Sequence, residues 1–156
     1  MSLNLYNLAG ALLAALVLAA CLPNAEAART TGFTTPEVTR SGSGGRTCRV
    51  FADEGGNPFE YEALRAQLAE SCDELRLGEC HSSCTILMSL PNACLLPGRR
   101  FGFHSSNFGG VANPVLRKYY RAGILERFDQ EWSQSRRMIP VTSEEAVVLD
   151  PALRIC

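Results

Sequence analysis

Six of the seven cysteines in this 156-residue chain lie beyond residue 47, and no other feature limits its fold as strongly. Cys48, Cys72, Cys80, Cys84, Cys94 and Cys156 are an even set. In an oxidising compartment they permit three disulfides, in fifteen connectivities that the sequence alone does not sort. In a reducing compartment the same six would be small buried hydrophobes. The compartment therefore has to be read from elsewhere in the chain.

The N-terminus supplies that reading. The first 27 positions contain no Lys or Arg, and Leu8 to Cys21 is an apolar run dominated by Leu and Ala. The run is shorter than the roughly 20 residues a membrane-spanning helix needs and suits the apolar core of an export signal. Ala25-Glu26-Ala27 is a small-x-small cleavage site, which makes residues 1–27 a signal peptide. Leu18-Ala19-Ala20-Cys21 resembles a bacterial lipobox, which would instead end the leader at residue 20 and attach lipid to Cys21. The absent basic n-region weakens both signals and leaves a retained helix as the third outcome; cleavage or lipidation places the protein in the periplasm or outside the cell, with membrane contact only through the leader or a lipid anchor.

Residues 28–46 are rich in Thr, Ser, Gly and Arg, end in Ser41-Gly42-Ser43-Gly44-Gly45, and read as a flexible linker. The remainder, 47–156, reads as one folded domain; with 46% hydrophobic and 20% charged residues the chain can build an ordinary core. Formal charge is -1, and the basic residues are 14 Arg and the single Lys118, spread along the chain. A nucleic-acid surface would show a basic excess or stripe, so no nucleic-acid partner is expected.

Short strands and helices alternate along the domain. Cys48–Phe51 is a strand running into Glu54-Gly55-Gly56. Asn57 caps the next helix, with Pro58 in its first turn and Tyr61, Leu64, Leu68 and Cys72 on one face. Glu74–Cys80 is a second strand, and Ser83–Leu90 an apolar run predicted as a buried helix. Ala93–Leu96 and Arg100–His104 are strands joined by Pro97-Gly98. Asn113-Pro114 predict a helix carrying Leu116, Tyr119 and Tyr120 with Gly123 as its C-cap, and Ile124, Phe128 and Trp132 predict another. Thr142-Ser143-Glu144-Glu145 is a capping box. The pattern is that of an α/β layered fold without internal repeats.

Ser82 sits between the second strand and the buried helix. A turn there exposes a hydroxyl, and the first amides of the helix face any oxyanion that develops. A serine needs a base to become a nucleophile. His81 is adjacent, and strand alternation sends it to the other face from Ser82; His104, at a strand end, is the better candidate. The plainer reading is that Ser82 caps a helix and His104 packs.

The stretch from Glu54 to His104 resembles the proteolytic subunit of Clp protease and the wider crotonase fold, particularly its exported bacterial members. The matching pieces are Gly55-Gly56 before a helix, Cys80-His81-Ser82-Ser83-Cys84-Thr85, Pro97-Gly98-Arg99-Arg100-Phe101-Gly102-Phe103-His104, and the acidic helix from Ser143 to Leu149. Position by position, the resemblance implies Ser82 as nucleophile, His104 as general base, and oxyanion donors from the Gly55-Gly56 turn and the Ser83 amide, acting on a peptide or other acyl substrate without a cofactor. Two departures stand out. Met138 falls where the family has the carboxylate that orients the histidine, leaving Asp129, Glu144 and Asp150 as substitutes. Only one strand precedes Gly55-Gly56, so the fold looks shortened at its N-terminus and stapled by disulfides. The competing class is a noncatalytic periplasmic or envelope-associated binding module on the same scaffold.

Other chemistries read more weakly. Cys80, His81, Cys84 and His104 lack a usual zinc spacing, so no metal site is expected; nor is Cys80-His81 the haem attachment signature. A serine-lysine dyad, used by signal-peptide peptidases of the resembled fold, has only Lys118, which sits on an amphipathic helix beside Arg117 and reads as a solvated face. Tyr119, Tyr120, Phe128 and Trp132 read as core.

Overall fold

The computed structural model describes residues 34–40, 44–106 and 110–156. The leader, its cleavage site and Cys21 lie outside the described residues. The described residues belong to one compact unit.

Among the described residues six strands form a mixed sheet, the architecture of an α/β protein. The strand read at Cys48–Phe51 is longer, β2 over Arg46–Asp53, and it pairs in parallel with β3, Glu74–His81. Between them α1, Pro58–Ser71, makes the crossover that parallel neighbours require. Asn57 caps α1 by accepting from the Phe59 amide, and Tyr61, Leu64 and Leu68 are buried on one face. Each such side chain contributes roughly 1.5–3 kcal/mol relative to exposure.

β3 is the central strand. Its first half pairs with β4, Ala93–Leu95, and its last two residues pair with β5, Arg100–Phe103, both in parallel. Antiparallel strands close the two edges: β1, Glu37–Arg40, on β2, and β6, Ile139–Thr142, on β5. β1 corrects the sequence reading at residues 37–40, which fall in the segment taken as linker. Glu-Val-Thr-Arg gains its ladder from β2, a partner that local composition does not reveal. Two strands, rather than one, therefore precede the Gly55-Gly56 turn.

The β6 edge is blunted against further pairing. Ser143 N donates to Arg99 O at 2.9 Å, which fixes the register so that residues 140 and 142 face outward. Pro140 has no N–H, and the Thr142 amide donates to Glu145 Oε2 at 2.8 Å. The same contact completes the predicted capping box of α4, Ser143–Leu149.

Three predicted helices differ in form. The apolar run after β3 is a 3-10 helix, Ser82–Ser89, with Ser83 to Met88 all buried. An all-round apolar segment carries no periodicity to distinguish it from an α-helix. The Asn113 helix is short, α2 over Asn113–Arg117, and its N-cap is Ala112. Gly123 is not its C-cap: it lies inside α3, Ala122–Gln130, where an added Cβ would stand 3.0 Å from Leu149 O. Trp132 follows α3 in a 3-10 turn, stacked on Phe103 with ring centroids 4.5 Å apart.

The cysteines pair as Cys48–Cys72, Cys80–Cys84 and Cys94–Cys156. The first ties β2 to the end of α1, the second spans the β3 exit, and the third anchors the C-terminus to β4, beside the Leu95–Ile155 bridge. Among the described residues no helix is long and apolar enough to cross a membrane.

Candidate active site at the end of the central strand

Two parallel strands, β2 and β3, deliver the Gly55-Gly56 turn and Ser82 to the same end of the sheet, continuing past the Asp53–Cys80 register pair. Ser82 has φ of +52°, a left-handed conformation uncommon for a residue other than glycine. It is held there from several directions. A Cβ built on Gly55, itself at φ +83°, would meet the Ser82 Cβ at 2.7 Å and Ser83 N at 3.0 Å, so the two turns are in direct contact and only glycine fits. Cys80 and Cys84, bonded to each other, bracket Ser82. Thr85 Oγ1 donates to Ser82 O at 2.5 Å and lies 2.7 Å from the Tyr120 hydroxyl. With its one proton spent on Ser82 O, Thr85 accepts from Tyr120, giving a relay from the helical layer to the Ser82 carbonyl. Burial pushes the Tyr120 phenol well above its ordinary range, keeping it a neutral donor.

Asp53 organises the opposite wall. Its carboxylate is buried and accepts from Gly55 N at 2.8 Å, from Thr34 N at 2.8 Å and from the Tyr61 hydroxyl. Three donors offset the cost of burying that charge. Burial and the bond to Asp53 raise the Tyr61 phenol above its usual value. The Gly55 amide, one of the expected oxyanion donors, is thereby engaged, while Ser83 N lies 3.0 Å from where a Gly55 Cβ would stand. Ser83 Oγ donates to Gly56 O at 2.8 Å and joins the two segments.

His104 follows β5 directly and is 6% exposed. Burial lowers its pKa below 6.5, which favours the neutral imidazole a general base must be. Its Nδ1 is buried with no hydrogen-bond partner among the described residues. The substitute carboxylates are occupied elsewhere: Asp129 by Arg117 at 2.8 Å, Glu144 by the Gly98 amide at 2.9 Å, and Asp150 by Arg121 at 3.1 Å. Met138 does arrive beside this end of the sheet: a Cβ on Gly102 would stand 2.5 Å from its Sδ.

His81 is the imidazole with a carboxylate, its Nδ1 being 3.0 Å from Glu54 Oε2. Its ring packs at Gly102, which by strand alternation is the face away from Cys80 and Phe101. Sequence reading missed Glu54, Asp53 and the Thr85–Tyr120 relay. Only Asp53 left a local signal: an Asp two residues before a glycine can close an Asx turn on its amide.

The remaining alternatives find other employment. Cys80 and Cys84 are oxidised together and hold no thiolate for a metal. Lys118 pairs with Glu62 at 2.9 Å on the surface. Tyr120, Phe128 and Trp132 are core, and Tyr119 carries Arg65 and Lys118 over its ring. Compared with models of known protein families and with curated proteins, the chain finds no match.

Proposed function

We propose that this chain is an exported protein on a Clp protease/crotonase-like scaffold, with a slow serine acyl hydrolase site at Ser82 that acts on a peptide or other acyl substrate. One observation carries the reading: Ser82 is held left-handed at a strand-to-helix junction, its Cβ against the Gly55 turn. Strained backbone of this kind clusters at functional sites, and a nucleophile needs its hydroxyl presented beside convergent amides. Three disulfides and the apolar leader support an oxidising destination.

In this mechanism His104 takes the Ser82 proton as Oγ bonds to the substrate carbonyl carbon. The Gly56 and Ser83 amides receive the oxyanion. On collapse the bond to the leaving group breaks, and His104 returns the proton to that group. Water then repeats the cycle in reverse roles and releases the acid. In this reading the site is slow because His104 Nδ1 has no partner among the described residues, and loss of an orienting carboxylate costs about 10⁴ in rate.

That same unpartnered nitrogen favours the second reading, a noncatalytic binding module that has kept the scaffold. Hydrolysis of p-nitrophenyl acetate by the oxidised protein separates them. The hydrolase reading expects a pre-steady-state burst that disappears in Ser82→Ala and slows at least tenfold in His104→Ala; equal rates in wild type and Ser82→Ala overturn it in favour of the binding module.

A further inference from the structure

Gly102 has no side chain, and two side chains from either side of β5 close over it. A Cβ built there would stand 2.5 Å from Met138 Sδ and 2.9 Å from His81 Cδ2, so a thioether and an imidazole edge meet above one glycine. β3 delivers His81, which pairs with Gly102 in parallel register. On the other side Met138 lies at the entry to β6, two residues before Pro140, the antiparallel partner of Gly102.

The imidazole is oriented for use. His81 Nδ1 is 3.0 Å from Glu54 Oε2. A carboxylate only accepts, so Nδ1 carries the proton and the lone pair lies on Nε2, which is bonded to the Cδ2 that faces Gly102. Metal-bound histidines almost always donate their other ring N–H in this way. The His81 side chain is 20% exposed and Met138 is 39% exposed, so an ion can reach the pair from solvent. A methionine serving only as filler would be buried, as Met88 is.

The donors decide which ion fits. Among the described residues no three of His, Cys, Asp and Glu gather as metal ligands, so a zinc set is lacking. A thioether lies outside that set and selects a soft ion. The six cysteines of the domain are paired in disulfides and leave no thiolate there to compete for one. We propose that His81 Nε2 and Met138 Sδ form a binding site for copper(I), with Glu54 as the positioning residue that holds the imidazole. Met138 is unbranched, so its sulfur can swing to close on the ion, and a soft monovalent ion is satisfied by two such donors. The site is independent of Ser82 chemistry.

The test is anaerobic titration of copper(I) into the full-length oxidised protein carrying Cys21→Ser, which removes the one cysteine outside the disulfides. Affinity is read by competition with bicinchoninate, and the methionine methyl groups by carbon-13 NMR. We expect one equivalent of copper(I) to shift the Met138 methyl and leave that of Met88 in place. Met138→Leu, which keeps the side-chain volume, and His81→Gln each lower the affinity about tenfold or more, and Glu54→Ala lowers it about tenfold. Met88→Leu and Ser82→Ala bind as the parent does. An unmoved Met138 methyl at one equivalent, or parental affinity in either Met138→Leu or His81→Gln, overturns the site and leaves the hydrolase reading untouched.

Discussion

A Cβ on Gly55 would stand 2.7 Å from the Cβ of Ser82 and 2.5 Å from the main-chain oxygen of His81. The second contact is with backbone and cannot be relieved by a rotamer change, and φ of +83° adds the left-handed penalty of roughly 1–2 kcal/mol. Gly55→Ala is therefore expected to lose more than about 2 kcal/mol in urea unfolding and to move Ser82 out of place. Gly56→Ala is the control. Its Cβ meets only Tyr61 Cε2 at 3.6 Å, an ordinary contact, and its stability should stay within about 0.5 kcal/mol of wild type.

Removal of the disulfides should separate stability from reactivity. Loop entropy ranks them by the chain they close: sequence separations of 62, 24 and 4 for Cys94–Cys156, Cys48–Cys72 and Cys80–Cys84 correspond to losses of about 4, about 3.5 and about 2 kcal/mol. Paired Cys→Ala variants followed by thermal unfolding check the order. Fluorophosphonate labelling should show the opposite order, falling most in Cys80→Ala/Cys84→Ala, because that bridge alone brackets the Ser82 turn.

Thr85→Val leaves the Ser82 carbonyl and the buried Tyr120 hydroxyl both without the partner they share. The expected cost is about 1–3 kcal/mol. Tyr120→Phe preserves the Thr85 bond to Ser82 and should cost less, about 1 kcal/mol. Urea midpoints of the two variants compared with wild type test the direction of the relay.

How much of this was legible in the sequence depends on how local each cause is. Asn57-Pro58 and Thr142 to Glu145 announce helix starts because a cap is made by residues within one turn, and both helices begin there. β1 was hidden, since Glu37–Arg40 owes its strand form to β2 across a glycine-rich stretch. Ser82 and His104 could be placed at a strand exit and a strand end from turn signals alone. The orienting environment of His104 could not, because Asp129, Glu144 and Asp150 are claimed by Arg117, Gly98 and Arg121, partners chosen by tertiary packing.

His104 gives the site its pH dependence. Its folded pKa is lowered by burial below the 6.5 of the free imidazole, so the unfolded chain binds this proton more readily. Its contribution to stability is full above about pH 6.5 and is lost as pH falls through the lower folded value. Wild type should thus lose more stability than His104→Asn between pH 7 and pH 5, measured by urea unfolding at each pH. The kcat/KM for ester hydrolysis should hold its plateau to below pH 6.5 before dropping on the acid side.

The most direct test of the central claim is the mass of the oxidised protein after treatment with a fluorophosphonate, followed by peptide mapping of the adduct. The account predicts a single phosphonyl group on Ser82, absent in Ser82→Ala. An adduct on another hydroxyl, or none under conditions that label a control serine hydrolase, would contradict it.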